Sequence, residues 1–183
     1  VPLHGELYFH HLRPPKYLWA YCSLAGSEPG ELLLCDGVTL YAALPAAIQS
    51  LLAREPVMYL RRHERSVWQA LYQTDQIERV EAFLKSEGIE MSLIENGGIE
   101  TRFLSSALRT VDGAPAFVNN ILPFGLRQLR EPHKTQARIC LANGELFPEG
   151  MLREIWARAQ QLSFSWTWQQ GDMLLIDNVR MMH

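Results

Sequence analysis

The sequence predicts a mainly β chain with α insertions (α+β), folded as a two-sheet jelly roll with helices packed outside. Three observations carry that prediction. Short apolar runs bounded by Gly, Pro, Asn and Asp recur at strand length, as at residues 32–35, 56–62 and 173–176. Helical periodicity is confined to three insertions, so the order reads β, α, β, α, β, α, β with no repeating length. Neither a G-x-G-x-x-G fingerprint nor a phosphate loop occurs, so nothing supports a parallel nucleotide-binding sheet.

Taken in order, residues 7–9 are apolar and aromatic, and Pro14-Pro15 then breaks the chain. Residues 17–24 and 32–35 read as buried strands joined by a turn at Gly26-Ser27-Glu28-Pro29-Gly30. A helix over 39–53 is expected to kink near Pro45. A strand follows at 56–62. The clearest helix opens at Thr74-Asp75-Gln76, carries Ile77, Val80, Phe83 and Leu84 at helical spacing, and stops at Gly88. Residues 89–119 hold several short strands around Asn96-Gly97-Gly98 and Asp112-Gly113, and 119–133 read as irregular. After the Asn143-Gly144 turn, residues 148–162 form a helix with Leu152, Ile155, Trp156 and Ala159 on one face. Strands at 164–168 and 173–176 flank Gln170-Gly171-Asp172.

With 183 residues, 48% hydrophobic and 20% charged, the chain suits a single domain with a sizeable core. The net charge is -3, and the densest basic cluster, Arg61-Arg62-His63-Glu64-Arg65, is broken by a Glu. That argues against a nucleic-acid partner. Cys22, Cys35 and Cys140 are odd in number and widely spaced in apolar surroundings. They read as buried small hydrophobes in a reducing cytoplasm rather than as disulfides or zinc ligands. No apolar run reaches the roughly 20 residues of a membrane span. The chain starts at Val1 and ends at His183 directly after a strand-like run, so we expect one domain over 1–183, truncated at both ends.

The candidate chemistry sits at the two ends. His4-Gly5-Glu6 is a His-x-carboxylate, and in an extended strand residues i and i+2 project to one face. Gly5 is expected to keep the opposite side free. Alone the triplet is weak. At the far end a Gly171-Asp172 turn feeds the apolar run 173–176, then a polar Asp177-Asn178 step, then His183. First and last strands can be neighbours in a jelly roll, so His4, Glu6 and His183 can complete a two-His, one-carboxylate facial triad with open positions for oxygen activation. His10, His11, His63 and His133 read as packing or surface residues. Asn119 and Arg102 are substrate-pocket candidates, against turn-capping for the first and a structural ion pair for the second. Arg127 and Arg130 fall in the irregular stretch and could belong to a lid.

These pieces, in this order, resemble the TauD/TfdA family of iron(II)- and 2-oxoglutarate-dependent dioxygenases. His4-Gly5-Glu6-Leu7 is similar to the proximal ligand motif in the branch that carries Glu, and Pro14-Pro15 to Cys22 to the strand that follows. Pro29-Gly30-Glu31 and Cys35-Asp36-Gly37 resemble the Gly-Gly-Glu-Thr turn and its Asp. Trp68-Gln69, Thr74-Asp75, Thr101-Arg102 and Phe117-Val118-Asn119 resemble later segments, and the stretch from Trp168 to Asn178 resembles the strand before the distal His. The resemblance implies a double-stranded β-helix, a clavaminate-synthase-like jelly roll. It implies Fe(II) held by His4, Glu6 and His183, with 2-oxoglutarate as cosubstrate and molecular oxygen. It also implies hydroxylation or desaturation of a small amino-acid-like substrate, free or carrier-bound, in a natural-product pathway. The Glu6 carboxylate argues against a halogenase, which needs a small residue there. Two departures bear on the cosubstrate. Leu32 stands where the family has its Thr, and the family's Arg would lie beyond His183. They keep two alternatives open: an iron-dependent oxidase that does not use 2-oxoglutarate, and a non-catalytic jelly-roll binding domain.

Overall fold

The computed structural model describes residues 2–24, 30–134 and 136–183. The chain begins with strands β1 (Tyr17–Tyr21) and β2 (Glu31–Asp36), then helices α1 (Gly37–Ala43) and α2 (Ala46–Arg54). Next come β3 (Val57–His63), α3 (Arg65–Tyr72), α4 (Ile77–Ser86), β4 (Glu90–Leu93) and β5 (Ile99–Ser105). The hairpin β6 (Arg109–Val111) and β7 (Ala114–Ala116) leads to α5 (Ile121–Arg130), β8 (Ala137–Leu141) and α6 (Glu149–Leu162). The chain closes with β9 (Phe164–Thr167), β10 (Met173–Asp177) and β11 (Met181–Met182).

Among the described residues every strand pair is antiparallel. A four-stranded sheet has the order β4-β5-β3-β8, a three-stranded one β11-β2-β9, and two ribbons pair β1 with β10 and β6 with β7. Strand β3 shows why the large sheet forms. Val57, Tyr59 and His63 are buried at every second or fourth position, while Met58, Leu60 and Arg62 face outward. Tyr59 lies opposite Ile139 on β8 and Phe103 on β5, which builds one continuous apolar face. Helix α5 packs on β8 and on α6, bringing Ile121 and Leu122 into the same core as Leu152 and Ile155.

The chain is a mixed α/β structure rather than a mainly β one, and two predicted elements change. The helix expected over 39–53 is two helices. Leu44 is extended (ψ 148°), the conformation forced on a residue that precedes proline, so Pro45 breaks the helix instead of kinking it. Part of the stretch read as irregular, 119–133, is α5. Pro123 hid it, but proline is tolerated in a first turn, where no intrahelical N–H bond is lost. Gly125 lets the helix approach closely, since a Cβ there would stand 2.8 Å from Leu152 Cδ2. Helix α3 is an addition to the elements expected from the sequence, and Trp68 is its one buried side chain. The turn expected at 26–30 falls largely outside the described residues. The strands on either side of it do not pair with each other: β1 takes β10 and β2 takes β9 and β11.

Cys35 and Cys140 are buried and unbonded, as their apolar surroundings predict, and Cys22 is half-buried. Among the described residues no helix is long and apolar enough to cross a membrane. The β1–β10 ribbon leaves Tyr17, Trp19 and Tyr21 exposed beside Met173 and Leu175, with Trp19 opposite Leu175 and Tyr21 opposite Met173.

Candidate metal centre

The two chain ends meet through the backbone. His4 and His183 exchange both N–H···O=C bonds at 3.0 Å, as an antiparallel pair does. His183 is delivered there by β11, whose Met181 and Met182 pair with Asp36 and Cys35 of β2. Gly37 secures the same corner, donating to the Arg180 carbonyl at 2.8 Å and accepting from Phe117 N–H at 2.9 Å. No side chain fits at Gly37, because a Cβ would come within 2.9 Å of that Arg180 oxygen. Asp36 adds to it: one carboxylate oxygen caps α1 at Val38 and Thr39, and the other receives Arg180 at 2.8 Å. Burial opposes the charge on Asp36, but the Thr39 and Val38 amides and the Arg180 guanidinium together hold its carboxyl below the usual range.

Glu6 is placed by a second device. The chain turns over residues 6–10, with Leu7 in the left-handed region (φ 64°). Asn178, fully buried, grips the peptide of Glu6 from both sides. Its Oδ1 accepts from Glu6 N–H at 2.8 Å, and its Nδ2 donates to Glu6 C=O at 3.2 Å and to Pro15 C=O at 2.7 Å. Tyr8 donates its hydroxyl to the Asn178 carbonyl at 2.9 Å, and the Arg109 guanidinium lies 4.4 Å over the Tyr8 ring. Gly5 does not leave space free as expected. A Cβ there would meet Tyr8 Cδ2 at 2.5 Å and Val118 Cγ1 at 2.7 Å, so the glycine is needed to seat the loop on Tyr8.

The three side chains then converge. One ligand atom from each of His4, Glu6 and His183 lies within 4.8 Å of the others. Glu6 Oε2 is 4.0 Å from His4 Nε2 and 3.7 Å from His183 Nε2, and the two rings stand 4.7 Å apart. His4 Nδ1 is 3.1 Å from the Pro2 carbonyl, which only accepts, so Nδ1 carries the hydrogen and Nε2 keeps its lone pair. His183 Nδ1 is buried with no hydrogen-bond partner among the described residues. Burial pushes the His183 imidazole below its ordinary value, as does His4 beside it, against a smaller upward pull from Glu6. Two imidazole nitrogens and a carboxylate oxygen within 4.8 Å of one another suit a divalent transition-metal ion.

The other predicted residues separate. Asn119 is buried, and its amide makes two bonds: Nδ2 donates to Ala107 C=O at 2.7 Å and Oδ1 accepts from Ile121 N–H at 2.8 Å. Its carbonyl receives Gly5 N–H at 3.0 Å, so Asn119 braces the loop that carries His4 and Glu6. Arg102 is exposed and paired with Glu100 at 3.1 Å, and the two line a shallow surface cleft with Glu90 and Ser92. Leu32 lies on β2 opposite Trp166. Asn178, Tyr8 and Arg109 were not anticipated as site residues. The one signal for them was the polar Asp177-Asn178 step after an apolar run.

His10 and His63 are not ordinary surface histidines. His63 is buried, and both imidazoles sit near Arg61. Burial first, and then that cation, lower each from 6.5 to about 4; His11 and His63 add to the effect at His10, and Glu87 opposes it. Between those values the unfolded chain binds more protons than the folded one, so stability falls as pH drops from 6.5 towards 4. From pH 7 to pH 5 the loss is expected to be on the order of 2 kcal/mol from the buried His63, with a smaller share from the more exposed His10, seen as a falling thermal midpoint. Replacing both His10 and His63 by Gln should flatten that slope. An unchanged slope would show that other groups cause it.

The family model described as "Taurine catabolism dioxygenase TauD, TfdA family" matches residues 1–183. The chain belongs to the TauD/TfdA family. It is 23% identical over 196 residues to the dapdiamide synthesis protein DdaC of Enterobacter agglomerans, covering 98% of this chain and 59% of that protein. Among solved structures it is similar to a taurine dioxygenase from Burkholderia xenovorans, with a TM-score of 0.55, 12% identity, and 99% of this chain on 49% of that one. It is also similar to AAD-2 in complex with Mn(II) and N-oxalylglycine, with a TM-score of 0.57, 14% identity, and 98% of this chain on 55% of that one. The chain therefore spans about three fifths of its curated relative.

Proposed function

We propose that this chain carries the metal centre of an iron(II)- and 2-oxoglutarate-dependent oxygenase, with His4, Glu6 and His183 as the ligands. The observation that carries the reading is the convergence of three metal-type donors within 4.8 Å from opposite ends of the chain. Membership of the family supports it, as does the likeness to AAD-2, solved with Mn(II) and N-oxalylglycine, a close analogue of 2-oxoglutarate. The iron and cosubstrate would supply the oxidising chemistry. The protein's own residues orient it: Pro2 C=O fixes the His4 tautomer, and Asn178 holds the Glu6 peptide. The same reading includes a double-stranded β-helix of clavaminate-synthase type, with β1–β10 and β11-β2-β9 as parts of its two sheets.

The substrate in this reading is a small amino-acid-like molecule, free or carrier-bound, that is hydroxylated or desaturated in a natural-product pathway. The likeness to DdaC supports it. Anaerobic titration of the intact protein with iron(II) and then 2-oxoglutarate is expected to raise a weak visible charge-transfer band, and oxygen should then yield succinate. No band and no succinate would overturn the proposal. Leu32 favours one second reading, iron-dependent oxidation without 2-oxoglutarate, because an aliphatic side chain donates no hydrogen bond to the cosubstrate. Oxygen uptake that persists without 2-oxoglutarate would decide for it.

A further inference from the structure

Behind the Glu6 loop lies a second polar cluster that the metal centre does not use. Strand β3 places Arg61 and His63 on the face that also carries Val57 and Tyr59. The Arg61 guanidinium lies 4.9 Å over the Phe9 ring, and Phe9 leans on Phe124 of α5 at 5.4 Å. His10 follows Phe9, with its ring 6.2 Å from that of Tyr72 at the end of α3.

Three features of this cluster are out of balance. No carboxylate among the described residues comes within 4.0 Å of the Arg61 guanidinium, whereas its neighbour Arg62 is paired with Glu100 at 2.7 Å. The carboxylate of Glu87, which acts on His10, is engaged elsewhere, by His11 Nδ1 at 3.2 Å and Leu12 N–H at 3.4 Å. His63, 7% exposed, has no partner for Nε2, and the buried Tyr72 hydroxyl has none either. Arg61 thus lacks a counter-charge, and two buried polar atoms of the surrounding side chains lack partners, which is costly where water does not reach them. All three deficits are met by one kind of ligand. A guanidinium fork matches two oxygens of an oxyanion, and a hydroxyl and an imidazole N–H can donate to the others.

We propose that Arg61, His63 and Tyr72 form a binding site for a small oxyanion, a carboxylate or a phosphate, with Arg61 as its anchor. None of its side chains belongs to the metal centre. The test needs neither iron nor 2-oxoglutarate, so its failure leaves the proposed oxygenase untouched.

The experiment is thermal unfolding of the intact protein at constant ionic strength, with chloride replaced stepwise by acetate or by inorganic phosphate. A saturable rise in midpoint is expected with at least one of them, and which one responds identifies the carboxylate or the phosphate as ligand. Arg61→Gln should abolish the rise, and Arg62→Gln, on the exposed side of the same strand, should keep it. Tyr72→Phe should be no less stable than wild type in chloride, since it removes an unpartnered hydroxyl, yet lose at least half of the rise. The proposal is overturned if neither anion outperforms chloride, if Arg61→Gln keeps the rise, or if Tyr72→Phe keeps it whole. Should Arg61→Gln not fold, Tyr72→Phe decides alone.

Discussion

Replacing His183 by alanine is expected to weaken Mn(II) binding by at least ~100-fold, or roughly 2.7 kcal/mol. Loss of a group that merely orients a ligand already costs about 10- to 100-fold in metal affinity, and loss of a ligand itself should exceed that. The remaining pair, His4 and Glu6, cannot define one face of an octahedron. The fold should tolerate the change, because His183 joins the structure through its backbone: its N–H and C=O pair with His4, and neither bond needs the imidazole. Calorimetric titration with Mn(II), with His133→Ala as the control on a loop residue, measures the effect. Unaltered affinity with a folded protein would remove His183 from the ligand set, and with it the proposed centre.

Replacing Asn178 by leucine should produce a different pattern: a large loss of stability together with a smaller loss of metal affinity. The side chain has no exposed surface and makes three hydrogen bonds, two of them to the peptide of Glu6. Leucine is nearly isosteric but leaves the Glu6 N–H and the Glu6 and Pro15 carbonyls short of partners. Each such deficit costs about 1–3 kcal/mol where water cannot replace the bond. Part of the Glu6 loop is solvated, so a total on the order of 3 kcal/mol is expected in urea unfolding. Metal affinity should fall about 10- to 100-fold, because Glu6 would no longer be held in place. Stability lost with Mn(II) affinity unchanged would mean that Asn178 supports the fold alone. Asn178→Asp separates the bonds: it keeps an acceptor for Glu6 N–H and loses both donations.

Both results concern residues whose roles were unequally legible in the sequence. His4, Glu6 and His183 could be nominated because the chemistry of iron needs those residue types and the order of motifs is one-dimensional. Asn178 could not be nominated, because its partners are the backbone of a residue 172 positions away. Backbone groups look alike in any sequence. The partners of Arg102 and Asn119 were illegible for a related reason. A strand of alternating residues does not say which face meets solvent, and Arg102 fell on the face with Glu100. An Asn after a strand reads equally as a ligand for substrate or as a cap, and the nearby Ile121 N–H and Ala107 carbonyl made it a cap.

What the sequence determined by itself was local or compositional. Residues 77–86 and 149–162 are helices because apolar side chains recur at helical spacing between stop signals. Strands 57–63 and 173–177 are strands because short apolar or alternating runs end at turn residues. Tertiary structure alone decided the rest. Helix α5 forms over a Pro and a Gly because it packs on β8 and α6, with Leu152 and Ile139 close against Gly125. Gly5 is glycine because Tyr8 and Val118 fill the space beside it, not because that space is open. The cluster at Arg61 becomes visible only when the loop after Glu6 and the end of α3 are brought against β3. In each case the deciding energy is a contact between segments distant in the chain, and no local pattern records it.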